Sequence, residues 1–406
     1  MADTAPSVFP RSGGLGGRGP VLFSVVVPTY NRAETLLGAL KSWSEQVPGD
    51  LPFEVIVVDD GSTDDTRSVL GSYQPARYEL RIRSQPNQGP AVARNSALGI
   101  AAGDYVLFTG DDIEPAANLL HRHHVEHQRL ADYRVAVLGR IDWAPYLPLT
   151  STMRHVDGVG AQQFSFNHMK DGEEYDYRHF YTSNVSVSRD LLELESSGFS
   201  TDFPLAAFED AEYAYRLRNH GLRITYHESA RAWHHHSYVV ESFFHRQVAC
   251  GRMAAVLIGK WPKTRTIVGG DAVVRRIRRL WFMLPSKQRR LAIIANDLDV
   301  WEARAINLAS AFDRPPTPVV DPLLKGLFQY AFLKGLSSAT VRPAIAGRLF
   351  ASWFLEHVGD GVCRLVNRLH TSDLSSESES LYPLIEPFRD ISILGENSNR
   401  SLVKGM

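Results

Sequence analysis

Residues 53–66 read FEVIVVDDGSTDDT, in which an apolar run leads directly into carboxylates and turn-forming residues. An apolar run also leads into the turn-forming polar residues of SVVVPTYNR at 24–32, and another leads into the carboxylates of DYVLFTGDD at 104–112. Continuous runs of Val, Ile and Leu are typical of strands that are covered on both faces, as in a parallel sheet. Since ligands of open α/β sheets bind at the carboxyl ends of the strands, the polar residues after these runs are the first candidates for a functional site.

Apolar runs and amphipathic stretches alternate over the first half of the chain, which predicts strands that alternate with helices. The predicted strands are 22–27, 53–58, 78–83, 104–109 and 134–141. The predicted helices are 33–45, 64–72, 90–102 and 115–130. Beyond residue 142 the pattern is mixed, and it predicts an extended stretch near 178–188, a helix near 209–219 and strands near 222–226 and 230–235. The predicted fold class is α/β, with a mostly parallel mixed sheet flanked by helices.

The composition changes along the chain and indicates four segments. Residues 1–20 are rich in Gly, Pro and Ser and are expected to form a loose tail. Residues 21–240 carry the strand and helix pattern and form the α/β domain. Helical periodicity dominates 241–370, which predicts a mainly α-helical C-terminal module. Residues 371–406 begin with the Ser/Glu-rich segment TSDLSSESES and are expected to be flexible.

The overall composition excludes several classes of protein. With 44 Lys plus Arg against 45 Asp plus Glu, the chain of 406 residues lacks the basic excess of a nucleic-acid-binding protein. No apolar run approaches the length of a membrane-spanning helix. The two cysteines, Cys250 and Cys363, cannot form a disulfide framework or a four-thiolate zinc site. We expect a cytoplasmic protein without a signal peptide, because the first twenty residues contain no apolar stretch.

Three acidic pairs follow or precede predicted elements: Asp59–Asp60, Asp111–Asp112 and Glu209–Asp210. Carboxylates held close together repel each other, so a cation or a set of hydrogen-bond donors is expected beside them. Each pair also has a structural explanation, because Asp-Gly-Ser-Thr is an ordinary turn and acids are favoured at helix N-termini. The oxygen ligands of the second pair suit Mg²⁺ or Mn²⁺.

Seven motifs occur in the order and spacing of one known family. They cover roughly residues 22–240 and read SVVVPTYNR, VIVVDDGSTDDT, NQGPAVARNSAL, GDYVLFTGDD, YTSNVSVSRD, GF followed by FEDAEYAYRL, and ARAWHHH. The sequence resembles the family 2 inverting glycosyltransferases, which have the nucleotide-sugar-binding GT-A fold. The resemblance implies an enzyme that moves a sugar from a nucleoside diphosphate sugar, commonly UDP-linked, to an acceptor hydroxyl in polysaccharide or glycoconjugate biosynthesis.

The resemblance also implies which residues bind the donor. The loop after the first strand would border the nucleobase and the ribose, Asp60 would accept a hydrogen bond from the base, and Asp111 would contact the ribose or the sugar. Residues of the NQGPAVARN stretch would help to hold the ribose and the diphosphate. The implied donor-binding residues are Pro28, Thr29, Tyr30, Arg32, Asp60, Gln88, Gly89, Arg94 and Asp111.

A metal site is implied at the end of the fourth predicted strand. Asp112 would bind a divalent cation, Mn²⁺ or Mg²⁺, that bridges the diphosphate oxygens, with His234 as a further ligand. His236 is the alternative, because alternate residues of a strand face the same side. Family members often have Asp-x-Asp here, whereas this chain has Gly110 at the first of those positions. That departure supports a second interpretation, a non-catalytic sugar-nucleotide-binding protein that keeps the fold.

The transfer chemistry requires a base, because an acceptor hydroxyl does not ionise near neutral pH. We assign this role to Asp210, with Glu209 positioning the acceptor or its loop, and a single displacement then inverts the anomeric configuration. The acceptor can be a glycan, a lipid-linked compound or another hydroxyl compound. Asn184 either binds the acceptor or fixes a loop. For His121, His123, His124 and His127, of which His123 and His127 share a helical face, we expect a solvated or packing helix face rather than a zinc site.

Residues 260–290 carry ten Lys or Arg and a single Asp. Apolar residues recur within this segment at helical spacing, at Val273, Ile277, Leu280, Trp281 and Leu284. The resulting basic amphipathic helix either contacts an anionic membrane from its inner face, receives an anionic acceptor, or docks on the catalytic domain through its apolar stripe, with its arginines paired or solvated. The stretch 323–336 is too short and too interrupted to span a bilayer, and we expect it to lie in a core.

Overall fold

The computed structural model describes residues 21–47, 50–160, 163–268, 270–283, 285–338, 341, 343–371 and 383–388. The predicted tail 1–20 and nearly all of the predicted segment 371–406 lie outside these residues. The chain divides into two compact units, and the first contains residues 21–147 and 164–236. The second contains 148–163 together with the chain from Ser237 onward. The sequence placed a single boundary after residue 240 and gave no sign that 148–163 belongs to the helical unit.

Within the residues that the structure describes, the first unit contains one mixed sheet of nine strands. The strands are β1 Phe23–Thr29, β2 Phe53–Asp59, β3 Glu79–Ser84, β4 Tyr105–Thr109, β5 Ile113–Pro115, β6 Val135–Trp143, β7 Glu174–Tyr175, β8 Asn184–Ser188 and β9 Arg223–His234. Their order is β3-β2-β1-β4-β8-β6-β9-β5, and β7 pairs with β9. Strands β3, β2, β1 and β4 are parallel, and β8 runs antiparallel to both β4 and β6.

Helices flank the sheet and make up the second unit. In the first unit they are α1 Ala33–Trp43, α2 Thr66–Ser72, α3 Pro90–Leu98, α4 Leu119–Leu130, α6 Arg189–Leu194 and α7 Glu209–Leu217. In the second unit they are α5 Ser151–Arg154, α8 Val240–Lys260, α9 Gly270–Trp281, α10 Pro285–Asn296, α11 Leu298–Ser310, α12 Asp321–Ser338, α13 Pro343–Trp353 and α14 Asp360–Thr371. The predicted α/β sheet and the helical C-terminal region are therefore both present.

The central strands are covered on both faces, as their continuous apolar runs predicted. Along β1, Val25 and Val27 pack into one apolar cluster, while Val26 between them packs into another on the opposite face of the sheet. Residues Val55 and Ile56 divide in the same way along β2. Because apolar side chains cover both faces of these strands, the polar side chains that a ligand can reach lie at the strand ends. The candidate functional site is therefore expected there.

The long strand β9 brings a distant segment to the same edge of the sheet. The sequence predicted two strands here, whereas the structure has one strand with a register shift opposite Gly139 and Arg140. A side chain at Gly139 would collide with the carbonyl oxygen of Ala230, so the close approach requires glycine. Beyond the shift, β9 pairs with β5, and His234 lies opposite Ile113.

The helical unit confirms the prediction for residues 323–336 and shows how α9 packs. The stretch 323–336 forms most of α12, and Leu323, Leu324 and Leu327 on it are buried. On α9, Val273 and Leu280 of the apolar stripe are buried, and the helix contacts α12 and α13, so the stripe packs within the helical unit, while docking on the catalytic domain stays a prediction. Within the described residues, no helix combines the length and the apolar character needed to cross a membrane.

Candidate active site

The site begins where β1 and β4 end side by side. These strands are parallel neighbours, so Thr29 and Asp111 lie close together, and the Thr29 hydroxyl donates a hydrogen bond of 2.7 Å to Asp111 Oδ2. Asn31 adopts a left-handed backbone with φ of 53°, and its side-chain oxygen accepts a hydrogen bond of 2.7 Å from the backbone N–H of Thr63. The loops after β1 and β2 are therefore fastened to each other. Tyr30 between them is 46% exposed and is available to a ligand.

Asp112 is surrounded by cationic and imidazole groups. Arg32 Nη1 lies 2.6 Å from Asp112 Oδ2, and His234 Nε2 lies 3.4 Å from the same oxygen. His236 Nδ1 is 3.9 Å away from it. The backbone N–H of His235 donates a hydrogen bond of 2.7 Å to the Asp112 carbonyl, which fixes the histidine segment against the loop. The structure thus brings together four of the predicted residues, Arg32, Asp111, Asp112 and His234.

The two neighbouring carboxyls titrate in opposite directions. Burial, and then the charge of Asp112, raise the pKa of Asp111. Burial also opposes ionisation of Asp112, but His234, Arg32 and His236 outweigh it and hold the pKa of Asp112 well below its usual range. Asp112 is therefore kept charged, whereas Asp111 binds a proton more readily than an ordinary carboxyl.

The histidine run alternates as the strand pattern predicted. The His234 and His236 rings stack at 5.7 Å and both face Asp112, whereas His235 lies against Glu114, with 3.6 Å between Nδ1 and Oε1. On its other side the His234 ring stacks on Trp143 at 5.4 Å with an interplanar angle of 11°. Sequence reasoning missed Trp143, although it ends β6 in register with His234.

The possible metal ligands around Asp112 suit a cation that is coordinated in part by the protein and in part by a substrate. Among the described residues, no three His, Cys, Asp or Glu side chains are grouped as a complete metal site. Asp112 and His234 supply a carboxylate and an imidazole on one side, and Mg²⁺ commonly takes one or two protein carboxylates with substrate phosphates and water. A Cβ at Gly110 would lie 2.9 Å from Asp112 Oδ1, so a carboxylate at that position would crowd Asp112 in this arrangement.

The carboxylate of Asp60 accepts hydrogen bonds from the loop at residues 85–89. The donors are Gln85 Nε2 at 2.7 Å and the backbone N–H groups of Gln88 and Gly89 at 3.0 and 2.8 Å. Gly89 has φ of +90°, and a Cβ there would lie 2.7 Å from the Pro204 carbonyl oxygen. The loop thus needs glycine for both conformation and space. Contact between Asp60 and a nucleobase stays a prediction.

Arg94 and Glu209 form a buried ion pair, which sequence reasoning did not foresee. Arg94 Nη1 lies 2.8 Å from Glu209 Oε1, and the two side chains are 9% and 4% exposed. The Arg94 guanidinium also lies over the Phe199 ring, 5.5 Å from its centroid. Glu209 Oε2 is buried and has no hydrogen-bond partner among the described residues. Arg94 Nη1 thus pairs with Glu209, and contact between Arg94 and the ribose or the diphosphate stays a prediction.

Asp210 lies at the start of α7, directly after a strained residue. Phe208 has φ of 66°, a left-handed conformation that is rare for a non-glycine residue and often occurs at functional sites. The pKa of Asp210 is raised, first by removal of its carboxyl from water and then by the charge of Glu209. Part of the residue remains accessible to solvent. The charge of Asp210 in turn contributes to a raised pKa of Tyr181, after the larger effect of burial.

Aromatic rings connect the surroundings of Asp210 with those of Asp112. Tyr181, which feels the charge of Asp210, has its ring 5.1 Å from that of Phe164. The Phe164 ring is in turn 6.5 Å from the His234 ring. Tyr181, Phe164 and His234 thus form a series of neighbouring rings, and Tyr181 at its end lies within the electrostatic influence of Asp210.

The comparison with known protein families agrees with the motifs and the geometry. Residues 24–189 match the sequence profile described as glycosyl transferase family 2, and they contain β1 to β4 and both strand-end loops. This segment belongs to glycosyl transferase family 2. The sheet of parallel strands with an antiparallel addition, flanked by helices, confirms the predicted fold class.

Individual relatives match parts of this chain. A validoxylamine A glucosyltransferase of Streptomyces hygroscopicus subsp. jinggangensis is 31% identical over 226 residues, which are 50% of this chain and 53% of the relative. The poly(ribitol-phosphate) β-N-acetylglucosaminyltransferase TarS of Staphylococcus aureus is 36% identical over 111 residues, 25% of this chain and 19% of TarS. The chain thus spans about half or less of these relatives. A solved structure of TarS residues 1–349 with UDP has a TM-score of 0.45 at 18% identity, covering 83% of this chain and 92% of that one.

The buried histidines of this family 2 domain pack in its interior. His123 Nε2 and the Asn184 side-chain oxygen are 2.9 Å apart, and His123 and His127 each approach the Ser186 hydroxyl, at 2.8 and 2.7 Å. The Asn184 amide also donates to the carbonyl of Ala230 at 2.9 Å. Both sides of the Asn184 side chain are occupied by protein groups, so the structure supports its loop-fixing role and the packing role predicted for the histidines.

Proposed function

We propose that the protein is a metal-dependent glycosyltransferase that moves a sugar from a nucleoside diphosphate sugar to an acceptor hydroxyl with inversion. The observation that carries this proposal is the convergence of three strand ends on one acidic pair. Thr29 after β1 and His234 at the end of β9 both contact the Asp111–Asp112 segment after β4. Nucleotide ligands bind at such strand ends in open α/β sheets, and the family 2 match covers the same segment.

The donor would be held from three sides. Pro28, Thr29 and the exposed Tyr30 would border the nucleobase and ribose, and the loop held by Asp60, with Gln88 and Gly89, would form the opposite wall. Asp111 would contact the ribose or the sugar hydroxyls. Uridine is the first base to test, because the motifs resemble a family that commonly uses it, and TarS, a relative by sequence, is the subject of a structure with UDP.

Asp112 and His234 would hold a Mn²⁺ or Mg²⁺ ion, with His236 as the alternative ligand. Such an ion supplies neutralisation of the charge that develops on the leaving diphosphate. Arg32 now lies 2.6 Å from Asp112, and its guanidinium can contact the phosphate oxygens from there. Asp112 stays ionised near neutral pH because the surrounding cationic groups lower its pKa.

Asp210 would take the proton of the acceptor hydroxyl. A general base works best when its pKa lies near the working pH, and burial raises the pKa of Asp210 toward that range. Glu209, held by Arg94, supplies the neighbouring charge that contributes to this shift. The acceptor itself would be a glycan, a lipid-linked compound or another hydroxyl compound. With one base and one displacement, the anomeric configuration is inverted.

The proposal is tested by donor binding followed by transfer. The unfolding temperature of the full chain is measured with a panel of nucleoside diphosphate sugars, with and without Mn²⁺. We expect stabilisation by one donor in the presence of Mn²⁺, and release of the nucleoside diphosphate from that donor when an acceptor or water is present. Stabilisation without any release would favour the non-catalytic binder. No stabilisation by any donor would contradict both.

A further inference from the structure

The exposed face of α9 and the turn after it form a cationic surface with an apolar centre. Phe282 is 89% exposed and Val274 is 37% exposed. Exposed cationic residues lie on the same helix and on the first turns of α10. We call this surface the Phe282 patch, and it consists of Val274, Arg275, Arg278, Arg279, Phe282, Lys287 and Arg289.

Packing of the opposite face fixes the orientation of α9. Val273 and Leu280 are 6% and 7% exposed. Arg276 on the same side forms an ion pair with Glu356 and donates a hydrogen bond of 3.2 Å to the Ser352 hydroxyl. With 3.6 residues per turn, these contacts leave residues 274, 275, 278 and 279 on the outer side of the helix.

The turn that displays Phe282 is held by hydrogen bonds. Gln288 on α10 donates from Nε2 to the carbonyl oxygens of Leu280 and Met283, at 3.2 and 3.0 Å. The backbone N–H of Met283 bonds to the Leu280 carbonyl at 3.3 Å. The end of α9 is therefore capped by a side chain from the next helix, and Phe282 is presented outward from an ordered turn.

Among the described residues, no acid forms an ion pair with the cations of the patch. These cations are Arg275, Arg278, Arg279, Lys287 and Arg289. Asp271, the single acid between residues 260 and 290, is already bound by Arg265 at 2.7 Å and by the Thr266 hydroxyl at 3.0 Å. The patch therefore keeps a positive charge that an anionic partner would complement.

We propose that the Phe282 patch docks on the surface of an anionic lipid bilayer. Cations attract anionic headgroups, while an exposed aromatic side chain can enter the boundary between headgroups and acyl chains. A nucleic acid or another soluble polyanion would pair with the arginines and leave Phe282 in water, so the bilayer accounts for both components of the patch. The face that docks is the one opposite the buried stripe of α9, and the inference does not depend on the sugar transfer.

The test is co-sedimentation of the full chain with vesicles of phosphatidylcholine alone or with about 30% phosphatidylglycerol. We expect binding to the anionic vesicles only, and weaker binding in about 1 M salt than in about 0.1 M salt. Phe282→Ser is expected to weaken partitioning by about tenfold. Joint replacement of Arg275, Arg278 and Arg279 by Glu is expected to weaken it by about a hundredfold or more.

Matched controls lie on the first unit. Leu194→Ser changes another exposed apolar side chain, 51% exposed, and Arg122→Glu reverses another exposed charge, and both should bind vesicles like wild type. All variants should unfold at the wild-type temperature, since the replaced side chains are exposed. Absence of wild-type binding to anionic vesicles overturns the proposal. So does unchanged binding of Phe282→Ser together with equal binding to heparin, which would indicate a soluble polyanion as the partner.

Discussion

Two of the acidic pairs of the first unit, Asp111–Asp112 and Glu209–Asp210, share one arrangement and differ in their surroundings. In each pair an arginine binds one carboxylate, Arg32 at Asp112 and Arg94 at Glu209, and the pKa of the neighbouring acid is raised. Asp112 also has two imidazoles within 4 Å, whereas the second oxygen of Glu209 is buried without a hydrogen-bond partner among the described residues. The first pair is thus suited to a shared cation, and the second to a carboxyl whose affinity for a proton is raised.

This difference explains how adjacent acids can take separate roles. A carboxylate surrounded by cationic groups stays ionised and is a good ligand, and a carboxyl beside a second buried carboxylate binds a proton more readily. If the two pairs serve one reaction, changes at Asp210 should affect turnover, and changes around Asp112 should affect donor binding. Variants of the two pairs therefore distinguish an effect on turnover from an effect on donor binding.

Asp210→Asn should lower turnover by about 10²–10⁴-fold, the usual effect of removing a general base. The measurement is kcat for sugar transfer with saturating donor. Asp190→Asn, at an exposed position of α6, is the matched control and should keep wild-type turnover. A variant at Asp210 that retains turnover within a few-fold of wild type would remove this residue from the proposed mechanism.

The pH profile should show the titration of the same group. Burial and Glu209 raise the pKa of Asp210 to about 7. The base must be ionised to accept a proton, so kcat should fall about tenfold for each pH unit below that value and level off above it. Donor affinity, measured over the same range, serves as the reference. A flat kcat between about pH 5 and pH 8 would contradict the assignment.

Arg94→Met should destabilise the protein by about 3–5 kcal/mol, because it leaves the Glu209 charge buried and unpaired. Urea unfolding measures the change, and the double variant Arg94→Met with Glu209→Leu should recover most of it. The exposed pair Arg129–Glu126 is the control, where Arg129→Met should change stability by less than about 1 kcal/mol. Equal losses of unfolding free energy in Arg94→Met and Arg129→Met would contradict the larger contribution expected from the buried pair.

His234→Ala should weaken Mn²⁺-dependent donor binding by about tenfold or more, and His236→Ala by less. The expected ranking follows from the distances of 3.4 and 3.9 Å to Asp112 Oδ2. Titration of Mn²⁺ in the presence of a fixed donor concentration measures the effect. His235→Ala, whose ring faces Glu114, is the control within the same run. The reverse ranking would make His236 the ligand.

The sequence predicted the parts of this site that depend on local pattern. The runs at 22–27 and 53–58 indicated β1 and β2, and their polar ends indicated the edge where Asp60 and Asp111 lie. Alternation along a strand correctly placed His234 and His236 on one face.

Contacts between distant residues could not be predicted in the same way. Arg94 and Glu209 are 115 positions apart, and nothing in NQGPAVARN marks which acid the arginine would meet. The segment 148–163 belongs to the helical unit because Thr152 bonds to Asp313 at 2.9 Å, a partner that no local periodicity reveals. The apolar stripe of α9 was visible in the sequence, but only the structure shows that packing buries it.

Calorimetric titration of UDP in the presence of Mn²⁺ tests the division between the two acidic pairs most directly. We predict that Asp210→Asn binds UDP like wild type, while Asp112→Asn binds it at least about tenfold more weakly. Wild-type affinity in Asp112→Asn, or loss of binding in Asp210→Asn, would contradict the account.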